Sequence, residues 1–247
     1  MDNTLYVGLS RQMTLQRELD VIANNVANVD TVGFKVESLM VQTDDEKLPS
    51  AGAASGLPAT VAFALDGGVA RDFGQGALKQ TGAPLDMAIE GNGFFKIATD
   101  KGERYTRDGR FAMDAQGRLI TQSGQPVQGD GGDITLDPTK GQPMVGSDGS
   151  ISQAGQSVGK IAVVQFASLS ALSKDGDGLY RNVSNIQPTA DDTARVRQGM
   201  VETSNVQAIT QISKLVEVTR AYESIAKMMD QTSDLSTRTI QRLGSVN

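Results

Sequence analysis

Residues 205–243 read NVQAITQISKLVEVTRAYESIAKMMDQTSDLSTRTIQRL, without a proline or a glycine. Ser204 with Gln207 three positions on has the form of a capping box, and Gly244 stands where a helix would stop. Within the span Ile212, Leu215, Thr219, Tyr222, Ala226 and Met229 recur at alternating spacings of three and four. That is a heptad seam, and Ile240 and Leu243 continue it beyond two serines. Glu217 near Arg220, Glu223 four before Lys227 and Asp234 four before Arg238 supply the opposite face, each pair adding roughly a few tenths of a kcal/mol. At about 1.5 Å per residue this helix would run roughly 58 Å, more than a domain of this size is wide. It has to protrude and find a partner.

A second helix is predicted over Asn3 to Asn28. Leu5, Leu15, Leu19, Ile22 and Val26 follow a three-four pattern, with Gly8 and Gln12 on the same seam. The pattern stops at Asn28, and Gly33 offers positive φ just past the end. Each terminal segment is thus a seam helix too narrow to make a globule alone. Packing them on each other, and on copies from neighbouring chains, is the simplest way to bury both seams.

Between the helices the periodicity changes. Residues 36–68 read as a connector, its Thr43–Thr60 stretch carrying Asp44-Asp45-Glu46-Lys47 followed by prolines and small residues. From 69 to 201 short alternating runs alternate with turn signals: Phe94 to Ala98, Arg104 to Thr106, Phe111 to Met113, Leu119-Ile120, Asp133 to Leu136 and Ile161 to Phe166. Asp130-Gly131 and Asp148-Gly149 read as hairpin turns. The fold class expected is α+β: long N- and C-terminal helices (1–35 with its motif, and 202–247) packed as a coiled-coil-like assembly domain, around a central all-β domain.

Composition removes most chemistry. The 247 residues include no cysteine, no histidine and no tryptophan, so neither a thiolate metal site nor the commonest general base is available. A net charge of −6 without a basic patch argues against a nucleic-acid partner. No apolar run approaches the roughly 18 residues of a membrane span, so no direct membrane insertion is expected. Residues Met1 to Leu9 lack the basic and apolar regions of a secretory signal. Gly91-Asn92-Gly93 precedes a strand rather than a helix and reads as a turn, not a phosphate loop. Asp175-Gly176-Asp177-Gly178 lacks the glutamate a calcium loop needs, and Asp191-Asp192 has no opposing group in view. No catalytic, cofactor or metal residue is predicted.

Asn24, Asn25 and Asn28 stand out, because asparagine is a poor helix former. Amides there can donate and accept across a packed face; a frayed helix end suits asparagine equally well. Met228 and Met229 read as core filler or as part of an interface.

These residues also carry a resemblance. Ala23-Asn24-Asn25-Val26-Ala27-Asn28-Val29-Asp30-Thr31-Val32-Gly33-Phe34-Lys35 resembles the N-terminal signature of flagellar basal-body rod and hook proteins. Gly76-Ala77-Leu78, Thr81 to Ile89, Gly91 to Phe95 and Tyr105 to Phe111 resemble the start of that family's β-domain, and Gly199 to Val206 with Arg220-Ala221-Tyr222-Glu223 its C-terminal helix. The opening Met1-Asp2 and Tyr6-Val7-Gly8-Leu9, with the modest length, look most like the proximal-rod members, the distal-rod members being the alternative. Val32 after Thr31 and the Thr43–Thr60 connector depart from the commoner form.

The resemblance implies a structural subunit and no enzyme, assembling helically with copies of itself and other rod subunits into a periplasmic drive shaft. It also implies passage through the flagellar type III export apparatus without a cleaved signal peptide, and location in the basal body. The expected assembly interface is Leu5, Leu15, Leu19, Ile22, Asn24, Asn25, Asn28, Gly33, Phe34, Ile212, Leu215, Tyr222 and Met229. A cell-wall-binding or cell-wall-acting β-module is the competing class; it would need an acidic constellation that the sequence lacks.

Overall fold

The computed structural model describes residues 2–47, 60–184, 186–191 and 193–244. The chain divides into a helical unit, residues 1–27, 37–71 and 207–247, and a β unit, residues 28–36 and 72–206. With its terminal helices and β-rich centre the protein is α+β.

The helical unit holds α1 (Asp2–Ala27) and α2 (Ala208–Gly244). Asn25 meets Gln211 near one end and Gly8 meets Met229 near the other, so the two helices run antiparallel. At that register α2 extends past the start of α1 by roughly two turns. α2 begins three residues later than the capping box predicts. The Ser204 hydroxyl accepts the Val206 N–H at 3.2 Å instead of serving N3, and the first helical bond runs from the Gln211 N–H to the Gln207 carbonyl. Asn205 is held outside the helix by its own side-chain bonds within the β unit, described below.

Residues 37–47 and 60–71, within and beside the stretch read as connector, form an antiparallel ribbon of β1 (Glu37–Lys47) and β2 (Thr60–Arg71). Its register runs from Glu37 opposite Arg71 to Lys47 opposite Thr60 and shifts between Leu39 and Val41. Gly67 gives the close approach at the shift its room: a Cβ there would stand 2.9 Å from the Met40 carbonyl oxygen. The rest of the connector, residues 48–59, lies outside the described residues. Met40, Val41 and Leu65 are exposed, so among its described side chains the ribbon shows no buried face to imprint an alternating pattern on the sequence.

The β unit contains β3 (Leu78–Gln80), β4 (Met87–Glu90), β5 (Phe94–Thr99) and β6 (Gly102–Thr106). An antiparallel six-stranded sheet has β5 and β6 at its centre. Leu172–Lys174 and Leu179–Asn182 lie on one side, and Val163–Gln165 and Thr189–Ala190 on the other. Successive side chains on a strand point to opposite faces, and here both faces are covered. Phe94 joins Phe73, Tyr105, Val164, Phe166, Leu172 and Tyr180. Phe95 joins the larger cluster that contains Ile97, Phe111, Leu119, Val127, Ile134 and Ile151. This is why two adjacent phenylalanines are both fully buried. Edge-to-face contacts replace the missing tryptophan: Phe94 with Phe166 at 5.9 Å and Tyr105 with Phe166 at 4.8 Å between ring centroids.

Burial pushes the Tyr105 phenol up to about 12, with Glu103, whose carboxylate accepts the phenol hydrogen at 3.3 Å, adding to the shift. The phenol therefore ionises at lower pH in the unfolded chain than in the folded one. Its contribution to stability is complete below about pH 10 and is lost as pH rises towards 12. Tyr105→Phe is expected to flatten the fall in urea midpoint between pH 10 and 12 while leaving the midpoint at pH 7 within about 1 kcal/mol equivalent.

Candidate functional site

The packed seam of the helical unit centres on Leu15, Ile22 and Val218, with Leu19, Val26, Leu215, Ala221, Tyr222 and Ile225 against them. Met229 closes it beside Gly8, where an added Cβ would come within 3.1 Å of the methionine Cγ. Leu5 is half-buried on α1. Ile212 lies off this seam at 50% exposure, and its place is taken by Gln211, which is buried.

The three asparagines have different roles. Asn25 is 1% exposed and grips the first residue of β1 from both sides. Its Oδ1 accepts the Glu37 N–H at 2.9 Å, and its Nδ2 donates to the Glu37 carbonyl at 2.7 Å and to Gln211 Oε1 at 3.2 Å. One amide thus joins α1, α2 and the ribbon. Asn28, in the β unit, accepts from the Thr31 hydroxyl at 3.1 Å within a turn, and Asn24 lies on the exposed side of α1. Asn25→Ala removes the bonds that this buried amide makes to the Glu37 N–H and carbonyl and to Gln211. A loss of about 2–3 kcal/mol in urea unfolding of the helical unit is expected.

In the β unit, Gly33 has φ +70, and a Cβ on it would fall 2.7 Å from the Arg107 carbonyl carbon. Its N–H donates to the Glu202 carbonyl at 2.8 Å, so glycine is required for both conformation and space. Phe34 is buried, with the Lys174 ammonium 4.8 Å from its ring centroid. Immediately beyond, Lys35 Nζ sits 2.5 Å from Glu202 Oε1 and donates to the Gly74 carbonyl at 2.8 Å. Arg107 meets the other carboxylate oxygen at 3.1 Å, donates to the Gly91 carbonyl at 2.7 Å and lies 5.1 Å from the Phe94 ring centroid. The Gly76 N–H completes the shell of Glu202 Oε1 at 2.8 Å.

All three charged side chains are essentially inaccessible, at 0, 1 and 2% exposure for Lys35, Glu202 and Arg107. One carboxylate thus serves two cations. Burial pushes both the ammonium and the guanidinium below their ordinary ranges, and Glu202 pulls each back.

Beside this cluster Asn205 Oδ1 accepts the Val36 N–H at 2.8 Å, and its Nδ2 donates to the Asp72 and Gly74 carbonyls at 2.9 and 3.0 Å. Lys35, Arg107, Glu202 and Asn205 were not singled out by spacing or periodicity. The available signal was that each lies inside one of the three blocks carrying the resemblance, and those blocks meet at Glu202. The Gly91-Asn92-Gly93 and Asp175–Gly178 segments are turns, with Asp175 bound to Arg104. Asp191 Oδ1 accepts from the Thr193 and Ala194 backbone, while Asp192 lies outside the described residues. Among the described residues no group of three acidic side chains could hold a metal ion.

Known proteins match in the same three places. The family model for flagella basal body rod protein matches residues 5–35, that for the flagellar hook protein FlgE/F/G D1 domain residues 88–153, and that for the flagellar basal body rod FlgEFG protein C-terminal region residues 197–242. The flagellar basal-body rod protein FlgF of Caulobacter vibrioides is 54% identical over the full length of both chains. FlgF of Mesorhizobium japonicum is 38% identical over 99% of each. FlgG of Bacillus subtilis is 32% identical over 95% of this chain and 97% of its own. The chain belongs to the flagellar basal-body rod protein family, on the FlgF side of it, and is a structural subunit of that rod.

Proposed function

We propose that this subunit builds the proximal part of the rod, polymerising helically into the periplasmic shaft that transmits torque and surrounds the export channel. It reaches that place through the flagellar type III apparatus without a cleaved signal peptide. The observation that carries this reading is apolar surface on both helices outside their own seam. Tyr6, Leu9 and Met13 on α1 and Ile209, Ile212 and Met228 on α2 are all exposed, Ile209 at 83% and Met13 at 65%.

Side chains of this kind on a pair of antiparallel helices suit burial against further helices in a coiled-coil-like assembly. A contact between two different faces of identical or similar subunits does not close on itself and generates a helical polymer. Among the described residues no helix is long and apolar enough to cross a membrane. Of the interface expected from the sequence, Leu15, Leu19, Ile22, Asn25, Leu215 and Tyr222 pack within this chain; the face proposed for neighbouring subunits is Ile212 with Tyr6, Leu9, Met13, Ile209 and Met228.

Cross-linking mass spectrometry of purified hook–basal bodies tests the reading. Links from α1 and α2 to other rod subunits are expected. Links to hook subunits would shift the protein to the distal rod, and its absence from intact basal bodies would overturn the assignment.

A further inference from the structure

Within the β unit, the last strands are bound to the first. Arg195–Gln198 pairs antiparallel with β4, from Arg195 opposite Glu90 to Gln198 opposite Met87. Met200–Glu202 pairs with β3 in the same sense. Among the described residues each pair is a two-stranded sheet, so β3 and β4 have no other strand partner. Gly199 makes the step between the two pairings at φ +72; its N–H donates to the Asp86 carbonyl and its carbonyl accepts the Thr81 N–H, both at 2.8 Å. Val196 is 2% exposed and belongs to the larger apolar cluster with Met87, Ile89 and Phe95. The Thr203 N–H reaches the Ala77 carbonyl at 2.8 Å. The same stretch carries Glu202, which Lys35 and Arg107 precede by 167 and 95 residues. Of the attractions acting on these two buried cations Glu202's is the strongest, ahead of Asp72 on Lys35 and of Asp191 on Arg107.

We propose that residues 195–203 are the closing segment of the β unit, a lock that keeps the rest of that unit unfolded until the segment docks. Two effects compete over the order of folding. Loop closure favours the β5–β6 hairpin first, since bringing Glu202 back to Lys35 costs far more chain entropy. Burial opposes that order. A β unit closed around Phe94 and Phe95 without residues 195–203 would hold two buried cations lacking their carboxylate, and two strands lacking their ladder bonds. Both costs fall on one missing stretch, and together they are of the size of a small domain's whole stability. Synthesis runs from the N-terminus, so Lys35 and Arg107 are made long before Glu202. The β unit therefore does not fold piece by piece behind its leading end; it folds in one step once residue 203 is available. The use of such a delay, to keep the chain unfolded for a narrow export channel, rests on the export reading above; the lock itself does not.

Native-state hydrogen exchange of the full chain in increasing urea separates the two orders. With the lock, the amides of Val196, Gly199 and Thr203 open only together with those of β5 and β6, and the two groups should exchange at the same rate within about threefold. Gly199→Ala is the mild variant. Its Cβ would meet the Gly82 Cα at an ordinary 3.7 Å, so the cost is the positive φ alone. It should speed exchange at β5 and β6 as much as at Val196 and Thr203, by roughly five- to thirtyfold. In refolding from urea, pulsed exchange should show both groups becoming protected with one rate constant. Exchange at 196–203 that outruns β5 and β6 by more than about threefold in the wild-type chain would overturn the proposal. So would a Gly199→Ala effect confined to residues 195–203 and their partners β3 and β4, or protection of β5 and β6 ahead of Gly199 during refolding. Absence of the wild-type chain from rods would instead count against the shaft and export reading and leave the exchange result standing.

Discussion

Glu202→Gln is expected to destabilise the β unit by about 3–5 kcal/mol, read as a fall in urea midpoint with unchanged slope. The change is nearly isosteric, so packing is preserved and the effect is electrostatic. With the carboxylate gone, Lys35 and Arg107 face each other as buried cations, Lys35 still bonded to the Gly74 carbonyl and Arg107 to the Gly91 carbonyl and against the Phe94 ring. The glutamine can present one carbonyl oxygen to one of them, and its NH2 group points a donor at the other.

Lys35→Met provides the contrast. It leaves Glu202 paired one-to-one with Arg107 and with the Gly76 N–H, and the Gly74 carbonyl keeps Asn205 as donor. Its effect should stay within about 1–2 kcal/mol, because methionine refills most of the lysine stem and one surplus buried charge is removed. The double variant should recover part of the Glu202→Gln loss. Equal losses for the two single variants would mean that the cluster acts through packing and not charge.

The two helices were legible because spacing of three and four without proline or glycine leaves few alternatives. The seam of α2 was only half legible. The series 212, 215, 219, 222, 226, 229 and the series 211, 215, 218, 222, 225, 229 share Leu215, Tyr222 and Met229. A choice by hydrophobicity puts Ile212 ahead of Gln211. The folded helical unit makes the opposite choice between α1 and α2, because Asn25 supplies a hydrogen-bond partner that lets Gln211 be buried. That partner is 186 positions away in sequence.

The same distance in sequence hid the charge cluster, since Lys35 and Glu202 are separated by 167 residues and each alone looks like a solvated charge. The strands of the β unit were visible through local turn chemistry and alternation. The β1–β2 ribbon was not, as it buries too little for alternation to show.

Two aspartate substitutions on α2, six residues apart, should have opposite consequences. Val218 is 7% exposed and packs with Leu15 and Ile22. Val218→Asp places a carboxylate among these apolar side chains, and a loss of about 4 kcal/mol or more is expected. Hydrogen exchange of the monomer should show α1 and α2 deprotected while β5 and β6 remain slow. Ile212 is half exposed, so Ile212→Asp should change the stability of the monomer by no more than about 0.5 kcal/mol. If the exposed apolar residues of the helices form the contact between subunits, that same substitution buries a charge in every repeat of the polymer and should stop incorporation into rods. A folded Ile212→Asp chain that enters rods normally would move the assembly face away from this side of α2. Failure of both variants to enter rods, with only Val218→Asp unfolding the helices, would separate the surface that holds the monomer together from the surface that joins it to the next subunit.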